Sequence, residues 1–225
     1  MYEIEIKSLL GSKENADKLR AKLKRHDPEL KLVGQGKQRN HYFNAPRDIQ
    51  VTEAVIAPLY PSKEKRQELV RVMQKVKGEV SIRTREADGK VSFILKMSIG
   101  DDSSANGVSR IEFDETVALS LEALDKKLLD VGISYQAKWS REREEYRSGT
   151  MHITIDKNAG YGYLAEFEQV VDGNEKAEKA KQELVALMDE LGVSELPQER
   201  LERMFAHYNK HWEEYYGTDK VFVIE

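Results

Sequence analysis

The first seven residues are the feature that most constrains the fold of this chain. They read Met1-Tyr2-Glu3-Ile4-Glu5-Ile6-Lys7, so apolar and charged residues alternate strictly. This alternation predicts a strand with one apolar face and one charged face, which carries Glu3, Glu5 and Lys7. Taken alone, the pattern is typical of a half-buried strand whose charges lie in water. The same mixed-charge face returns on later strands, and this repetition indicates an enclosed ionic site.

Six later segments alternate in a similar way. They are predicted as strands at 79–86, 90–97, 108–117, 135–147, 150–156 and 163–171, and Asp88-Gly89 is a hairpin signal between the first two. The charged faces of these segments and of the first strand carry both signs of charge. Their acids are Glu3, Glu5, Glu112, Asp114, Asp156, Glu166 and Glu168. Their bases are Lys7, Arg83, Arg85, Lys96, Arg110, Arg141 and Arg143.

Amphipathic helices are predicted between and after these strands. Ser12, Ser62 and Ser120 are candidate N-caps, and two further helices close the chain after residues 174 and 197. Residues 31–43 are predicted to be extended, residues 98–107 a loop, and residues 51–56 a short strand.

The helices offer apolar surface against which the apolar faces of the strands can be buried. We therefore predict an α+β fold: an eight-stranded antiparallel closed β-barrel, or tunnel, wrapped by α-helices, with the charged faces lining its lumen. The alternative is a sandwich whose charged faces are solvated or form internal ion pairs.

A lumen lined by both signs of charge needs a ligand that compensates them. Buried charge is costly unless it is paired or bound to a metal. Clusters of acids favour divalent cations with oxygen ligands, whereas arginine favours phosphate through bidentate hydrogen bonds. A metal-bound polyphosphate satisfies both requirements.

Composition excludes several other classes of function. The net charge is -4, with 36 Lys and Arg against 40 Asp and Glu, which gives no support to broad binding of nucleic acid. The chain has no cysteine, which excludes disulfides and a cysteine nucleophile and fits a reducing cytoplasm. No apolar run approaches the ~18 residues of a membrane span, and a strand beginning at residue 2 leaves no room for a signal peptide. We therefore expect a cytoplasmic protein with neither a nucleic acid nor a membrane as partner.

The ordered charged motifs resemble those of a known family. Glu3-x-Glu5-x-Lys7 resembles the ExExK signature of the CYTH superfamily, the triphosphate tunnel metalloenzymes, which include class IV adenylyl cyclases and thiamine triphosphatases. The later motifs that fit are Tyr42-Phe43, Arg83-x-Arg85, Lys96, Arg110-x-Glu112, Arg141-x-Arg143, Asp156, and Gly160-Tyr161-Gly162-Tyr163-Leu164-Ala165-Glu166-Phe167-Glu168. The resemblance covers most of residues 1–195 and implies an eight-stranded tunnel that binds a triphosphate and one or two Mg²⁺ or Mn²⁺ ions.

The chain departs from the family pattern in two places. Residues 45–77 form a longer insertion than many members carry, and an aromatic helix at 198–216 stands where the usual Ser-Tyr ending is expected. We predict a tunnel domain over 1–195, with the helix and tail of 196–225 packed on it. Either departure could alter access to the tunnel or pair two subunits, so both a monomer and a homodimer fit.

The resemblance and the charged lining together imply roles for individual residues. The predicted metal ligands are Glu3, Glu5, Asp156, Glu166 and Glu168. The predicted phosphate ligands are Lys7, Arg83, Arg85, Lys96, Arg110, Arg141 and Arg143, and the predicted catalytic residues are Lys7, Arg83, Glu112 and Asp156.

The predicted activity is hydrolysis of the terminal phosphate of inorganic, nucleoside or thiamine triphosphate, dependent on a divalent metal. One alternative is a class IV type adenylyl cyclase that makes cyclic AMP and pyrophosphate from ATP, because the run from His152 to Glu168 resembles those enzymes. The other alternative is a non-catalytic module that binds polyphosphate or nucleotide.

Overall fold

A computed structural model describes residues 2–74, 80–98, 110–172 and 174–225. Within these ranges the chain forms eight strands and six α-helices. The strands are β1 (Tyr2–Gly11), β2 (Lys31–Phe43), β3 (Val80–Ala87), β4 (Lys90–Ser98), β5 (Arg110–Val117), β6 (Tyr135–Ser148), β7 (Met151–Asn158) and β8 (Gly162–Val171). The helices are α1 (Lys13–His26), α2 (Gln50–Ile56), α3 (Lys63–Gln74), α4 (Leu121–Leu129), α5 (Asn174–Leu191) and α6 (Gln198–Tyr215).

The eight strands form one hydrogen-bonded sheet in the order β1-β8-β7-β6-β2-β3-β4-β5. The six pairs of neighbours whose register is described are antiparallel, which confirms the predicted eight-stranded antiparallel sheet. The order begins at β1 and ends at β5, and no hydrogen-bonded pairing joins these two strands in the described ranges. The predicted closure of the sheet into a barrel is therefore not confirmed by hydrogen bonding.

The described residues divide into two compact units. The first comprises residues 2–37 and 140–225, and the second comprises 38–98 and 110–139. Strands β2 and β6 contribute residues to both units.

The first unit buries the apolar faces of β1, β7 and β8 against helices. Ile6, Ile153 and Phe167 are at most 1% exposed, and they pack with Leu19 of α1 and Leu184 of α5. The helices therefore cover the face that the alternation of the strands predicted to be apolar, and the charged residues lie on the opposite face.

The second unit has its own core, built in the same manner. Phe43, Ile82 and Phe113 are at most 1% exposed, and they pack with side chains from α2, α3 and α4, among them Leu69 and Leu124. One residue departs from the pattern, because Ile94 has the parity of the charged residues of β4 but is fully buried.

Several local predictions from side-chain chemistry are confirmed. The hydroxyl of Ser12 accepts a hydrogen bond from the backbone N–H of Asn15 at 3.2 Å, and that of Ser120 accepts one from Ala123 at 3.2 Å. Both serines are thus N-caps. Asp88 and Gly89 have φ values of 51° and 72°, which suits the tight turn of the β3–β4 hairpin.

The predicted strand at residues 51–56 is wrong, because Gln50–Ile56 is helix α2. Its β-branched residues favoured a strand, but Thr52 and Ile56 are four residues apart and both are fully buried. Burial of one helical face has overridden local propensity. The predicted elements at 75–79 and 99–109 lie outside the described residues, and β5 is described from Arg110.

The C-terminal segment packs within the first unit. Tyr161, which precedes β8, makes edge-to-face contacts with Tyr208 of α6 and with Phe222 of the tail at 5.9 and 5.3 Å between ring centroids. Beyond α6 the chain forms one parallel bridge, between Gly160 and Val221. The division into a domain at 1–195 and an appended segment at 196–225 stays a prediction. None of the described helices is long and apolar enough to cross a membrane.

Candidate functional site: two charged strand faces

The charged face of the first unit is built by β1, β6, β7 and β8. In the antiparallel registers Lys7 lies opposite Glu166, Glu5 lies opposite Glu168, and Arg143 lies opposite Asp156. Residues that are opposite each other in a sheet are close enough for their side chains to interact. The structure thus brings together seven of the predicted site residues: Glu5, Lys7, Arg141, Arg143, Asp156, Glu166 and Glu168.

Asp156 is the most buried charge on this face, with 1% of its side chain exposed. Arg143 donates from Nε to Oδ1 at 2.8 Å and from Nη2 to Oδ2 at 2.6 Å, and Arg141 donates to Oδ2 at 3.0 Å. Both carboxylate oxygens are therefore occupied by guanidinium groups. The bidentate contact with Arg143 and the single hydrogen bond from Arg141 hold both arginines in place, and ligation of a metal by Asp156 would require these contacts to be exchanged.

Glu166 joins the same network. Its Oε2 accepts from Arg143 at 2.7 Å and from the hydroxyl of Thr154 at 3.2 Å, and Lys7 Nζ lies 4.0 Å from Oε1. Burial by itself would raise the pKa of Glu166, but Arg143, Lys7 and Arg141 outweigh it and lower the pKa to about 2. Burial would likewise lower the pKa of Arg143, yet Asp156 and Glu166 raise it above its ordinary value. Both groups are therefore charged at neutral pH.

Glu5 and Glu168 stand at the other end of this face. Glu5 forms an ion pair with Lys7, and Glu168 Oε2 lies 3.3 Å from Nδ1 of His152. Nε2 of that histidine lies 3.6 Å from Oε2 of Glu145. Both predicted ligands are about a quarter exposed, at 27% and 26%, so they are accessible to an ion from solvent.

The charged face of the second unit carries a pair of arginines on β3. Arg83 donates to the hydroxyl of Tyr42 at 3.2 Å, and its Cζ lies 4.7 Å from the centre of that ring. Arg85 donates to Oδ1 of Asn40 at 2.8 Å and forms an ion pair with Asp114 at 3.2 Å. The Nε of Arg83 is buried and has no hydrogen-bond partner in the part of the chain that is described. A guanidinium donor left in this state suits an incoming anion.

Lys96 of β4 lies opposite Ser81 and Glu112 in the two registers, two residues from the position that faces Arg83. It therefore belongs to the same face as the arginine pair. The backbones of Glu3, Arg110 and Glu112 lie in β1 and β5, but their side chains are outside the described residues. Their predicted roles stay predictions.

The donor set fits a hard divalent cation in kind, because carboxylate oxygens are the ligands that Mg²⁺ and Mn²⁺ prefer. The placement of Glu5 opposite Glu168 supplies two such groups on neighbouring strands. No three carboxylate or imidazole groups converge as a metal shell among the side chains that are described. Glu5 and Glu168 are thus two candidate ligands, and a bound phosphate would have to supply further oxygen ligands to the ion.

Several residues at these faces were not assigned a role from the sequence. Thr154 and His152 have the strand parity of the charged residues, so parity is the signal that could have found them. Parity had already placed Asp114 among the acids of these faces. Asn40 and Tyr42 had no comparable signal as partners of the arginines, since both contacts depend on the register between β2 and β3.

Together these features define an α+β protein whose antiparallel sheet is covered by helices on its apolar side and carries acids and bases on the other. A family model for the CYTH domain matches residues 1–200. The chain therefore belongs to the CYTH domain family, whose members are metal-dependent enzymes that act on triphosphates.

Three solved structures illustrate the likeness in fold. A Vibrio parahaemolyticus protein described as a candidate adenylate cyclase has a TM-score of 0.60 at 16% identity, covering 92% of this chain and 98% of its own. A protein of Pyrococcus horikoshii has a TM-score of 0.59 at 18% identity, with coverage of 92% and 99%. A Hippeastrum protein, also a candidate adenylyl cyclase and described as having a dominant triphosphatase activity, has a TM-score of 0.51 at 15% identity, with coverage of 87% and 90%. Among the curated proteins none matches this chain.

Proposed function

We propose that this protein is a divalent-metal-dependent triphosphatase that hydrolyses the terminal phosphate of inorganic, nucleoside or thiamine triphosphate. The observation that carries the proposal is the register between β1 and β8, which sets Glu5 opposite Glu168 and Lys7 opposite Glu166. Two carboxylates beside basic groups suit a cation together with the phosphate that it accompanies. The closed, tunnel form of the sheet is part of this proposal, as are cytoplasmic location and a monomeric or dimeric state.

Phosphate binding is assigned to the basic side chains of the two faces. Lys7, Arg141 and Arg143 in the first unit, and Arg83, Arg85 and Lys96 in the second, would donate to phosphate oxygens. Arg110 is included from the sequence alone. Because Arg141 and Arg143 are held by Asp156, they are already ordered before a ligand arrives, which lowers the entropic cost of binding.

Hydrolysis then needs little beyond positioning and neutralisation of charge. Water attacks the terminal phosphorus in line, the bond from that phosphorus to the bridging oxygen breaks, and orthophosphate and the shortened diphosphate leave with release of a proton. The basic side chains stabilise the charge on the equatorial and leaving oxygens. A Mg²⁺ or Mn²⁺ ion held by Glu5 and Glu168, with Glu3 and Glu166 as further ligands, would supply additional Lewis-acid stabilisation. Glu112 stays a predicted catalytic residue.

The second candidate function is adenylyl cyclisation. It is favoured by the run from His152 to Glu168, which resembles class IV adenylyl cyclases, and by the candidate cyclase of Vibrio parahaemolyticus that shares this fold. In that reaction the ribose 3′-oxygen attacks the α-phosphorus and pyrophosphate leaves. A non-catalytic binding module is the third possibility, and it would bind triphosphate tightly without turnover.

One experiment separates the three functions. The purified protein is incubated with inorganic triphosphate, ATP or thiamine triphosphate in the presence of Mg²⁺ or Mn²⁺. A triphosphatase releases orthophosphate from at least one substrate, whereas a cyclase makes pyrophosphate and cyclic AMP from ATP only. Binding without any product under either metal would leave only the binding module, and it would overturn the proposal.

A further inference from the structure

One buried carboxylate of the second unit lies on the apolar side of the sheet, where no substrate contact is expected. Asp125 of α4 is 2% exposed. Its Oδ1 accepts from the hydroxyl of Thr84 at 2.6 Å, and its Oδ2 lies 2.6 Å from Nδ1 of His41 and accepts from the hydroxyl of Tyr135 at 2.7 Å. An aspartate is rarely buried so fully, and three hydrogen bonds are what make it tolerable here.

The two strand residues that Asp125 binds are partners in the sheet. His41 of β2 lies opposite Thr84 of β3. In the same register Asn40 lies opposite Arg85, and Tyr42 lies opposite Arg83.

These flanking pairs are the ones that hold the arginines on the charged face. Asn40 accepts from Arg85, and Tyr42 accepts from Arg83. Successive residues of a strand point to opposite faces, so Asp125 binds His41 and Thr84 on the face opposite the arginines. These two residues lie between the pairs Asn40–Arg85 and Tyr42–Arg83.

We propose that Asp125 is a positioning residue for Arg83 and Arg85. By binding His41 and Thr84 together it fixes the register of β2 against β3, and with it the spacing at which the two guanidinium groups are presented to a phosphate. The inference rests on the proposed function only in assigning these arginines to triphosphate binding.

A carboxylate can fix the register of β2 against β3 in a way that an apolar side chain cannot. Hydrophobic packing is not directional, so a leucine at this position would bury a similar area without bonding to one particular residue of each strand. The two oxygens of Asp125 instead bind one donor from each strand, and a slip of one residue would break both of these hydrogen bonds. Tyr135 from β6 adds a third fixed point to the same carboxylate.

The test compares three variants for their affinity toward inorganic triphosphate, measured by calorimetry in metal-free buffer and corrected for the folded fraction. Without a divalent metal the proposed hydrolysis cannot consume the ligand during the measurement. Asp125→Ala leaves His41 and Thr84 without their acceptor, and we expect the affinity to fall by about tenfold or more, since small misplacements of binding groups are costly. Asp125→Asn can satisfy the same three groups with its amide turned, so we expect it to retain affinity within about threefold. Leu124→Ala, also fully buried in α4, lowers stability without touching the network, and we expect its affinity to be unchanged.

A measurement without ligand keeps the two proposals distinguishable. The Nε–H resonance of Arg85, which reports its hydrogen bond to Asn40, should shift in Asp125→Ala but not in Leu124→Ala. If the wild-type protein hydrolyses no triphosphate with Mg²⁺ or Mn²⁺ while this resonance shifts as expected, the proposed function fails and the positioning role stands. If Asp125→Ala does not fold, Thr84→Val replaces it, because it removes one donor at constant shape, and a loss of about threefold is expected. Equal affinity and an unmoved resonance in Asp125→Ala, or in its replacement, would overturn the inference.

Discussion

Glu5 of β1 lies directly opposite Glu168 of β8 in the antiparallel register of the first unit. Two acids in this relation destabilise a sheet unless a cation stands near them. Glu5 has the ammonium group of Lys7 beside it, and Glu168 has the imidazole of His152 at 3.3 Å. Lys7 therefore compensates the charge of Glu5, while Glu168 contacts a ring nitrogen of His152. A divalent cation bound to both acids would replace these contacts.

Removal of either charge should abolish metal-dependent turnover without harming the fold. We expect Glu5→Gln and Glu168→Gln each to lose on the order of a hundredfold or more in kcat, because a neutral amide is a poor ligand for a hard cation. Thermal unfolding in metal-free buffer should show a Tm at or above that of the wild type, since repulsion across the strands is relieved. Glu190→Gln, at a side chain that is 64% exposed on α5, is the matched control and should behave as wild type. Full turnover by both site variants would contradict the assignment.

The guanidinium group of Arg83 should matter beyond its charge. Arg83→Lys keeps a positive charge but loses the planar fork that reaches Tyr42 and presents the buried Nε. We expect the KM for triphosphate to rise by about tenfold, equivalent to roughly 1.4 kcal/mol, with a smaller change in kcat. Arg25→Lys, on the exposed side of α1, serves as the control in the same assay. A wild-type KM in Arg83→Lys would show that the arginine does not contact substrate.

The depressed pKa of Glu166 predicts a specific loss of stability in acid. The pKa of this group is about 2 in the folded chain against an ordinary value of 4.5, so its ionised form is stabilised by folding. Its contribution is fully present above pH 4.5 and is lost as the pH falls from 4.5 toward 2. The measurement is the free energy of unfolding by urea, as a function of pH, for the wild type and for Glu166→Gln in metal-free buffer. The stability difference that favours the wild type at neutral pH should shrink over that range, and a difference independent of pH would contradict it.

Gly160 should tolerate no side chain. Its φ is +78°, and a Cβ there would lie 2.8 Å from Cδ2 of Tyr208 and 2.9 Å from Cε1 of Phe222. We expect Gly160→Ala to lower the free energy of unfolding by about 2–4 kcal/mol, which combines the cost of a left-handed backbone with that of overpacking. Gly149 has a φ of +56° with open space around its Cβ position, so Gly149→Ala isolates the backbone part at about 1 kcal/mol. Equal losses of Tm in the two variants would show that the aromatic side chains move aside.

Much of the architecture could be predicted from local pattern. Alternation along β1, β3, β7 and β8 correctly separated the face that packs on helices from the face that carries charge, because the side-chain period of a strand does not depend on its neighbours. The serine caps of α1 and α4 were likewise readable, since a cap is satisfied within three residues. Helix α2 could not be predicted in this way, because its short run of β-branched residues favours a strand locally. It is helical in the structure, where Thr52 and Ile56 are buried together.

The amino-acid sequence by itself determined which side chains share a charged face, and therefore the two kinds of ligand that this face can bind. Only the tertiary structure decided which of them meet: that Glu5 stands opposite Glu168, that Asp156 holds Arg141 and Arg143, and that a buried Asp125 lies behind Arg83 and Arg85. Parity along a strand follows from backbone geometry alone. Register between strands distant in sequence depends instead on the packing of every helix and turn that joins them.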